Sequence, residues 1–555
     1  MEKPASERRV IIVGAGVAGI AAAIALKTQR GFENFTIYEK ADRPGGTWRD
    51  STYPGCGSDI GAHWYSLSTD LNPRWSAYYA GQPEILAYLD GVFATHQLAA
   101  HTMFRTAVVG AEWDAGRQVW RVETVGVGER GEAEGEEVLF YAIGGFMAPI
   151  YPKEAGGREV FRGAQWHSAR WRHGVDLAGK RVAVIGNGCS AAQIVPELAK
   201  DASTKVINFA RTPQWYVPQG NRRYPSLVKW AFANIPGLLR AYRNLIMARS
   251  DLIHLIFNQQ NRLLTKLARW ASACDNFSNA APDQHAGQLL TKYIRDTAPK
   301  EYVERLIPDY AVGCKRIIVD PGFLKSLHRE NVELRWDEID SIVEEGVKLK
   351  TGEVVALDAI VYATGYSLEA PDLHIKGSRG QTLHEYFEAQ GGATAYLGCS
   401  MPGFPNLFYL LGPNVASGHA SVIFSEEVQV QLALQVMDPV LKGQAKSVEI
   451  RDAVVEKYNG WLQSRLQHSV WTDCMSYYRQ GRSRGKIVAT FPGPVALFWW
   501  FARRPKWDEW KVVGGEAWAQ RLAQARRRRR YGALLVLAAT VLAGWAQRRG
   551  LRLLR

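Results

Sequence analysis

The sequence predicts an α/β protein in which two similar parallel-sheet units are joined in one chain. The stretch VIIVGAGVAG (residues 10–19) is a short apolar strand that runs directly into a glycine-rich turn. A second stretch of the same kind, RVAVIGNGCSAA, occupies residues 181–192. At 555 residues the chain exceeds what one hydrophobic core organises, so two or three domains are expected. Together these observations favour two Rossmann-like dinucleotide-binding domains.

The first unit carries the complete fingerprint of a dinucleotide site. Val10–Val13 is an apolar run typical of a strand buried on both faces, and the turn Gly14-x-Gly16-x-x-Gly19 follows it. The next predicted strand ends at Glu39. Glycines let a pyrophosphate approach backbone N–H groups at a helix N-terminus, and an acid in this position accepts a hydrogen bond from a ribose hydroxyl. The first unit is therefore predicted to bind FAD.

The second unit differs from the first at the position of the acid. Its strand, Arg181–Ile185, leads into another glycine-rich turn, but the following strand, Lys205–Phe209, is succeeded by Arg211-Thr212. A cation in place of the acid is what the 2′-phosphate of NADP requires, whereas a surface arginine without a ligand is the alternative. The second unit is therefore predicted to bind NADPH, and its candidate contacts are Gly186, Gly188, Ser190, Arg211 and Thr212.

Further candidate site residues lie in loops and strand ends. The loop after the second strand contains Gly46, Thr47 and Trp48 and continues to Asp59, and its many Gly and Pro residues exclude a helix or strand. Loops at the carboxyl edge of such sheets carry binding sites, although Asp59 by itself is more typical of a turn. The adjacent cations Lys315 and Arg316 precede a strand, and such pairs usually face solvent.

The expected domain order is discontinuous. Residues 1–150 form the first part of the FAD-binding domain, and residues 376–505 complete it. Residues 151–375 form the NADP-binding domain between them. Within it, residues 224–305 carry Leu, Ala, Ile and Arg at helical spacing, which predicts a helical insertion that either covers a substrate pocket or packs as a subdomain. Residues 506–555 form a basic C-terminal tail.

This tail accounts for most of the net charge of +14, because residues 502–555 contain 14 basic and 3 acidic residues. Nucleic-acid binding by the body of the protein therefore has no support. Residues 526–530 are all arginine, and residues 531–546 contain no charge. A transmembrane helix needs about 20 apolar residues, so this stretch of sixteen is short for crossing a bilayer. A short span, an interfacial helix and a helix docked on the body are the alternatives, and attachment to a membrane through residues 526–555 is favoured.

The cysteines indicate the redox compartment. The chain has no C-x-x-C pair and no metal-ligand spacing, and its six cysteines are scattered at Cys56, Cys189, Cys274, Cys314, Cys399 and Cys474. This usage predicts a reduced, intracellular protein that binds no metal and has no disulfide framework. The N-terminus is charged and leads at once into a strand, so no secretory signal is expected.

Between the two turns lies the stretch 161–171, in which Phe161, Gly163, His167 and Trp171 follow the pattern F-x-G-x-x-x-H-x-x-x-W. Because this pattern lies between two glycine-rich turns, the chain resembles the flavin-dependent class B monooxygenases, and within them the Baeyer–Villiger monooxygenases. The resemblance covers residues 10–510. The family pattern G-G-x-W-x-x-x-x-[FY]-P-G-x-x-x-D is met without exception from Gly45 to Asp59. Two departures are Arg172, where the family has Pro or Asp, and Ile143 in the first of two A-T-G turns.

The resemblance implies an activity. NADPH reduces FAD, O2 adds to the flavin as a C4a-peroxide, and attack on a ketone carbonyl gives an ester or lactone. Arg316 matches the family's active-site arginine, and Asp59 matches the acid that holds it. Lys315 and Arg211 match cations that grip the 2′-phosphate of NADP, and His167 matches a histidine associated with domain movement. Trp171 matters for the subclass, because the N- and S-oxygenating relatives usually carry Tyr or Phe there.

Two rival functions share parts of this pattern. An N- or S-oxygenating monooxygenase uses the same cofactors but does not require the pair of Asp59 and Arg316. An NADPH-dependent flavoprotein reductase needs a redox dithiol beside the flavin, and no closely spaced cysteine pair exists in the sequence. A nucleotide-binding protein without activity is a further alternative, since a fold does not prove catalysis. The expected partners are O2 and a small lipophilic ketone, which no residue identifies further.

Overall fold

The computed structural model describes residues 8–126, 130–146, 148–152, 156–257, 282–367, 373–482, 484–524 and 538–540. Its strands are β1 (Val10–Val13), β2 (Phe35–Tyr38), β3 (Thr102–Met103), β4 (Ala107–Asp114), β5 (Val119–Val125), β6 (Arg130–Glu136), β7 (Val138–Tyr141), β8 (Ala148–Pro149), β9 (Ala164–His167), β10 (Arg181–Ile185), β11 (Lys205–Phe209), β12 (Tyr216–Pro218), β13 (Ile318–Asp320), β14 (Val332–Arg335), β15 (Ile339–Val343), β16 (Gly346–Leu349), β17 (Val354–Ala356), β18 (Ala359–Tyr362), β19 (Tyr366–Ser367), β20 (His374–Lys376), β21 (Leu407–Tyr409), β22 (Ser447–Ile450) and β23 (Trp510–Val513). Its helices are α1 (Val17–Arg30), α2 (Thr47–Asp50), α3 (Gln82–Thr95), α4 (Cys189–Leu198), α5 (Ser226–Asn234), α6 (Leu238–Phe257), α7 (Pro282–Thr297), α8 (Lys300–Leu306), α9 (Phe323–Ser326), α10 (Leu383–Ala389), α11 (Val422–Leu441), α12 (Asp452–Gln467) and α13 (Val495–Ala502).

The first sheet contains five parallel strands in the order β21-β7-β1-β2-β3. All four residues of β1 are buried. Val10 and Ile12 face a core that includes α1 and α11, whereas Ile11 and Val13 face a core built around Trp113 of the β4–β5 hairpin. Burial on both faces explains why the sequence of β1 is continuously apolar. Because β21 comes from residues 407–409, a late part of the chain completes this sheet.

The second sheet repeats the design with the parallel order β14-β11-β10-β18-β9. Val182 and Val184 of β10 face a core shared with α4, and Ala183 and Ile185 face the opposite core. The α/β class and the Rossmann-like architecture predicted from the sequence are confirmed. The turns after β1 and β10 lie at the carboxyl edges of their sheets, where ligands of such folds bind.

Four helices, α5 to α8, lie within the predicted helical insertion, of which residues 258–281 are outside the described part of the chain. Buried Arg243 on α6 forms an ion pair with Glu427 on α11, with an N–O distance of 3.2 Å. Asp251, also on α6, accepts hydrogen bonds from the backbone N–H groups of Val495 (2.8 Å) and Ala496 (3.1 Å) at the start of α13. These contacts attach α6 firmly to the body.

The C-terminal tail begins later than the sequence predicted. Residues 510–513 form β23, which pairs antiparallel with β22, so they belong to the folded body. The predicted membrane segment 531–546 lies outside the described residues except for 538–540, which are helical. Among the residues that the structure does describe, no helix combines the length and apolar character needed to cross a bilayer.

The sequence predicted that the cysteines form no disulfide framework, and this prediction is wrong. The structure contains a disulfide between Cys314 and Cys474, whose Cα atoms are 6.0 Å apart although 160 residues separate them in the sequence. Cys56, Cys189 and Cys399 carry free thiols. Sequence spacing reveals only local cysteine pairs, and this pair is created by the fold. The spacing of the cysteines in the sequence therefore does not exclude a reductase.

Candidate active site

A large cavity of about 2190 Å³ lies between the two sheets. Sites for one small ligand usually measure about 300–1,000 Å³, so this cavity has room for more than one ligand. Both glycine-rich turns open into it. Its wall includes most of the predicted site residues, namely Gly14, Gly16, Glu39, Gly46, Thr47, Trp48, Asp59, Gly186, Gly188, Ser190, Arg211, Thr212, Lys315 and Arg316.

The first turn is tightly packed against its surroundings. Gly14 has a φ of +100°, and a Cβ there would lie 2.8 Å from the carbonyl oxygen of Ala142 on the neighbouring strand connection. A Cβ on Gly19 would lie 1.9 Å from the carbonyl oxygen of Gly14. Gly16 approaches Gly46, since a Cβ on Gly46 would be 2.9 Å from the Cα of Gly16. The absence of side chains at these positions leaves a backbone cradle that fits the pyrophosphate of FAD.

Glu39 is only 4% exposed and is held by three donors. Its Oε2 accepts from the backbone N–H of Ala15 at 2.8 Å, and its Oε1 accepts from the N–H of Ala41 at 2.9 Å and from the guanidinium of Arg49 at 3.0 Å. A carboxylate has about four acceptor positions, so a ribose hydroxyl can still bind. The acid is fixed in position before any nucleotide arrives.

The loop that contains Gly46, Thr47 and Trp48 lies beside the first turn. Gly46 has a φ of +53° and precedes α2, whose first residue is Thr47. Trp48 is 8% exposed, and its Nε1 donates to the hydroxyl of Tyr65 at 3.1 Å. These residues form the wall of the cavity between the first turn and Asp59.

The second turn is more open. Gly186 has a φ of +110°, and a Cβ there would lie 2.5 Å from the carbonyl oxygen of Ala363, but a Cβ on Gly188 would meet nothing within 4 Å. The side chain of Asn187 donates to the carbonyl oxygen of Thr212 at 2.7 Å and so ties the turn to the end of β11. Ser190, in the first turn of α4, donates to the hydroxyl of Tyr53 at 3.4 Å.

Two cations meet at the second turn. Arg211 is exposed, and Lys315 is half-buried with its Nζ 4.8 Å from the ring centroid of Tyr310. Burial and the nearby charge of Arg211 lower the pKa of Lys315, and Asp309 opposes this effect. Two like charges held this close are unfavourable until an anion lies between them. The pair therefore fits the 2′-phosphate of NADP.

Arg316 and Asp59 form a bidentate ion pair in the cavity wall, with N–O distances of 2.7 Å and 2.5 Å. A third donor, Nη1 of Arg316, reaches the carbonyl oxygen of Gly418 at 3.3 Å. Burial alone would lower the pKa of Arg316, but the charge and hydrogen bonds of Asp59 raise it well above the ordinary value. The guanidinium is a fixed positive charge at every physiological pH.

The residues of the stretch 161–171 lie outside the cavity wall. His167 is fully buried at the end of β9, where its Nδ1 accepts from the N–H of Ala169 and its ring packs against Tyr151 and Tyr366. Trp171 packs edge-on against Trp166 with 5.4 Å between ring centroids. Phe161 is buried, and a Cβ on Gly163 would lie 2.5 Å from the carbonyl oxygen of Asp358. The structure gives all four residues packing contacts.

The two A-T-G-like turns also differ. The hydroxyl of Thr364 donates to the carbonyl oxygen of Ile150, which joins β18 to the connection between the sheets. The corresponding Ile143 has no hydroxyl, so it cannot make such a bond. The strand that precedes it, β7, is nevertheless held in register by β1 and β21.

Sequence reasoning missed a buried acid in the cavity wall. Glu426, near the start of α11, is 5% exposed, and its Oε2 has no hydrogen-bond partner among the described residues. Burial, and to a smaller extent the neighbouring charge of Glu427, raises the pKa of Glu426 to about 8. The acid is therefore largely protonated at neutral pH. A Glu near a helix start is ordinary in a sequence, so no local signal could identify it.

The fold and the cavity define a flavoprotein with two dinucleotide sites, and comparisons with known proteins agree. Residues 12–81 match the model of the NAD(P)-binding Rossmann-like domain. A Baeyer–Villiger monooxygenase of Pseudomonas aeruginosa is 32% identical over 496 residues, which cover 88% of this chain and 89% of that protein. A Baeyer–Villiger monooxygenase of Streptomyces coelicolor is also 32% identical and covers 91% of this chain and 92% of its own length.

Solved structures show the same relationship. A steroid monooxygenase in its oxidised form, bound to NADP, superimposes with a TM-score of 0.77 at 28% identity and covers 91% of this chain and 99% of its own. A cyclohexanone monooxygenase from Rhodococcus, bound to NADP+, gives a TM-score of 0.77 at 25% identity with the same coverage. The chain belongs to the Baeyer–Villiger monooxygenases, which are FAD-containing, NADPH-dependent enzymes that use O2 to insert oxygen next to a ketone carbonyl.

Proposed function

We propose that this chain converts a lipophilic ketone into an ester or lactone, with Arg316 as its catalytic cation and Asp59 as the residue that positions it. The bidentate ion pair in the cavity wall carries this proposal. The N- and S-oxygenating relatives do not require such a pair, and the family relationship favours ketone oxygenation.

The proposed roles follow from the charges. Bound FAD supplies the redox chemistry, since a flavin accepts a hydride from NADPH and activates O2. Arg316 faces the cavity and stays protonated, so it stabilises the negative charge that develops on the ketone oxygen during oxygen insertion. Asp59 fixes the orientation of the guanidinium, and the carbonyl oxygen of Gly418 holds its remaining edge. Preorganised charge of this kind needs no rearrangement at the moment of reaction.

The cofactors are assigned to the two turns by the same reasoning. Gly14, Gly16 and Gly19 with Glu39 would hold FAD, because the first turn has the tight cradle and the fixed acid. Arg211 and Lys315 would hold the 2′-phosphate of NADPH, because Arg211 follows β11 and Lys315 lies close enough to feel its charge. Residues Gly46 to Trp48 lie between these sites and the ion pair, and would contact the flavin.

A lipophilic substrate is favoured by the wall around the ion pair. Tyr65, Tyr409 and Tyr478 line the cavity together with Leu411 and Ala420. These side chains offer apolar surface and only a few polar groups, as sites for small lipophilic ligands do. The steroid monooxygenase among the structural relatives acts within the same fold and supports a bulky ketone as the substrate class.

The decisive experiment replaces Arg316 with Ala in the full chain and measures ester formation from a panel of ketones by mass spectrometry. Removal of one preorganised donor typically costs about 100- to 1,000-fold in rate, and we expect at least that loss. FAD content should be unchanged, and NADPH oxidation should continue with release of hydrogen peroxide. Arg172→Ala, a change at an exposed arginine outside the cavity, is the control.

Two results would contradict the proposal. An ester yield unaffected by Arg316→Ala would remove the arginine from the reaction. Oxidation of amines or sulfides by the wild-type protein, with no ester from any ketone, would make the protein an N- or S-oxygenating enzyme instead.

We also propose, from the sequence, that the C-terminal tail attaches the protein to a membrane. Residues 526–530 supply five arginines for anionic headgroups, and residues 531–546 supply an uncharged apolar stretch. A chain that ends at Gln524 should stay in solution when mixed with vesicles of anionic lipid, whereas the full chain should sediment with them. Equal sedimentation of both forms, or no sedimentation of either, would contradict membrane attachment through the tail.

A further inference from the structure

The Cys314–Cys474 disulfide joins two segments that carry active-site residues. Cys314 is completely buried and directly precedes Lys315 and Arg316. Cys474 lines the cavity and is followed by Tyr477 and Tyr478. Both tyrosines lie within electrostatic range of the Arg316 guanidinium. The crosslink therefore lies beside the catalytic arginine and beside one of the two cations assigned to NADPH.

Noncovalent contacts also join the segments around Cys314 and Cys474. The N–H of Ala311 donates to the exposed carboxylate of Asp473 at 2.7 Å, and the side chain of Val470 lies 3.6 Å from where a Cβ on Gly313 would stand. The guanidinium of Arg316 is held by hydrogen bonds that it donates to Asp59 and to the carbonyl oxygen of Gly418. Lys315 makes no hydrogen bond or ion pair within the described structure: its Nζ lies 4.8 Å from the ring centroid of Tyr310, the charge of Arg211 repels it, and the charge of Asp309 attracts it.

Because Arg316 is held by hydrogen bonds and Lys315 is not, the position of Lys315 depends more strongly on the disulfide. Arg211 repels Lys315, and burial also disfavours its charge. Both effects outweigh the attraction of Asp309 and favour movement of the lysine away from Arg211 and toward solvent when no phosphate is present. A covalent bond one residue away opposes that movement. It keeps the two cations together before the nucleotide arrives, and a preorganised site binds its ligand more tightly.

We propose that the Cys314–Cys474 disulfide positions Lys315 for the 2′-phosphate of NADPH, so that its reduction weakens NADPH binding while the fold and FAD are retained. The inference rests on the proposed assignment of Lys315 and Arg211 to that phosphate. Reduction requires a dithiol, such as dithiothreitol. The S–S bond breaks, each sulfur gains one electron and one proton, and the dithiol becomes a disulfide. Cys314 and Cys474 are thus positioning residues that act through Lys315.

The test compares NADP+ binding to oxidised and dithiothreitol-treated full-length protein by titration calorimetry. We expect reduction to raise the dissociation constant of NADP+ about tenfold, the scale of one charged hydrogen bond. Cys474→Ser should show the weak binding without any reductant and should not respond to dithiothreitol. Thiol counting and FAD absorbance, measured on the same samples, report the redox state and the integrity of the fold.

NADH is the matched control, because it has every part of NADPH except the 2′-phosphate. The KM for NADH should not change on reduction, while the KM for NADPH should rise and kcat should change little. A general loosening of the structure would affect both nucleotides equally and would refute the positioning role. Binding of NADP+ that is identical in the oxidised and fully reduced protein would also refute it, as would isolation of the untreated protein with both cysteines as free thiols.

Failure of the proposed ketone oxygenation can be distinguished from failure of the disulfide proposal. If oxidised protein binds NADP+ tightly but forms no ester, the assignment of ketone oxygenation is wrong and the disulfide proposal stands. If Lys315→Ala leaves NADP+ binding unchanged, the phosphate assignment is wrong and the disulfide proposal falls with it.

Discussion

The two nucleotide turns are built on the same strand–turn–helix plan, yet they differ in how much of the site is fixed in advance. At the first turn, Gly19 lies against the backbone of Gly14. Glu39 is buried, and its carboxylate accepts three hydrogen bonds. At the second turn, the position equivalent to Gly19 is occupied by Ala191, and Gly188 has open space around it. Arg211, the proposed contact of the 2′-phosphate, is exposed.

This difference matches the chemistry expected of the two ligands. A cofactor that remains bound through many turnovers gains from a rigid, buried cradle, because little ordering is left to do on binding. A nucleotide that must leave after each turnover gains from exposed, mobile contacts that bind more weakly. The difference supports the proposal that the first turn retains FAD and that the second exchanges NADP+ for NADPH.

The largest expected effect is at Gly19. Gly19→Ala places a methyl group 1.9 Å from the carbonyl oxygen of Gly14, so the turn must move. Overpacking of this kind costs about 1–3 kcal/mol, and displacement of the phosphate-binding N–H groups adds to it. We expect the variant to be purified without FAD, as measured by its absorbance. Gly188→Ala should keep a full complement of FAD, and loss of FAD there too would remove the distinction between the turns.

A smaller effect is expected at Glu39. Glu39→Gln removes a charged acceptor that serves Ala15, Ala41 and Arg49, and hydrogen bonds to charged groups contribute about 1.5–3 kcal/mol each. FAD should dissociate at least tenfold more readily in a fluorescence titration of the apoprotein. Asp42→Asn changes an exposed acid nearby and should have no effect. Equal FAD affinity in both variants would show that the first site does not depend on its acid.

At the second turn, Arg211→Ala should act on NADPH alone. Loss of one exposed charge contact to a phosphate should raise the KM for NADPH about tenfold with little change in kcat. The KM for NADH should be unaffected, and the difference between the nucleotides should shrink at high salt because exposed charges are screened. An equal rise for NADH would mean that Arg211 supports the fold of the turn rather than the 2′-phosphate.

Glu426 tests stability instead of nucleotide binding, and it contrasts with Glu39 because it has no donor for its buried Oε2 among the described residues. Its pKa is about 8 in the folded protein, above the ordinary 4.5, chiefly because of burial. The folded state therefore binds the proton more tightly, and this contribution to stability falls as pH rises from about 4.5 through about 8. The slope is at most about 1.4 kcal/mol per pH unit.

Glu426→Gln should abolish that contribution, so the free energies of unfolding of variant and wild type should diverge in favour of the variant as pH rises. Urea denaturation between pH 5 and 8 measures this difference. Parallel curves for the two proteins would show that Glu426 is ionised in the folded state.

Features encoded locally could be predicted from the sequence. The apolar runs at β1 and β10, the glycines after them and the exchange of Glu39 for Arg211 define two dinucleotide folds within short windows. The pair of Asp59 and Arg316 could be proposed only from resemblance to a family, because 257 residues separate its members. The domain bounds and the roles of the site residues remain predictions, apart from the start of the tail, which β23 moves beyond residue 513.

Features created by the tertiary fold could not be predicted. Cys314 and Cys474 are 160 residues apart and meet because β13 and the segment after α12 converge at the cavity. Glu426 is distinguished by burial, which depends on how α11 packs against the rest of the molecule. Neither property leaves a mark in the residues next to it in the chain.

The disulfide has a mechanical consequence as well. Cys314 belongs to the segment that enters β13, Cys474 follows α12, and both pack in the core that also contains Val182 and Val184 of the second sheet. The covalent bond limits how far these two segments can separate. Arg316, two residues after Cys314, therefore stays close to Tyr477 and Tyr478, which follow Cys474.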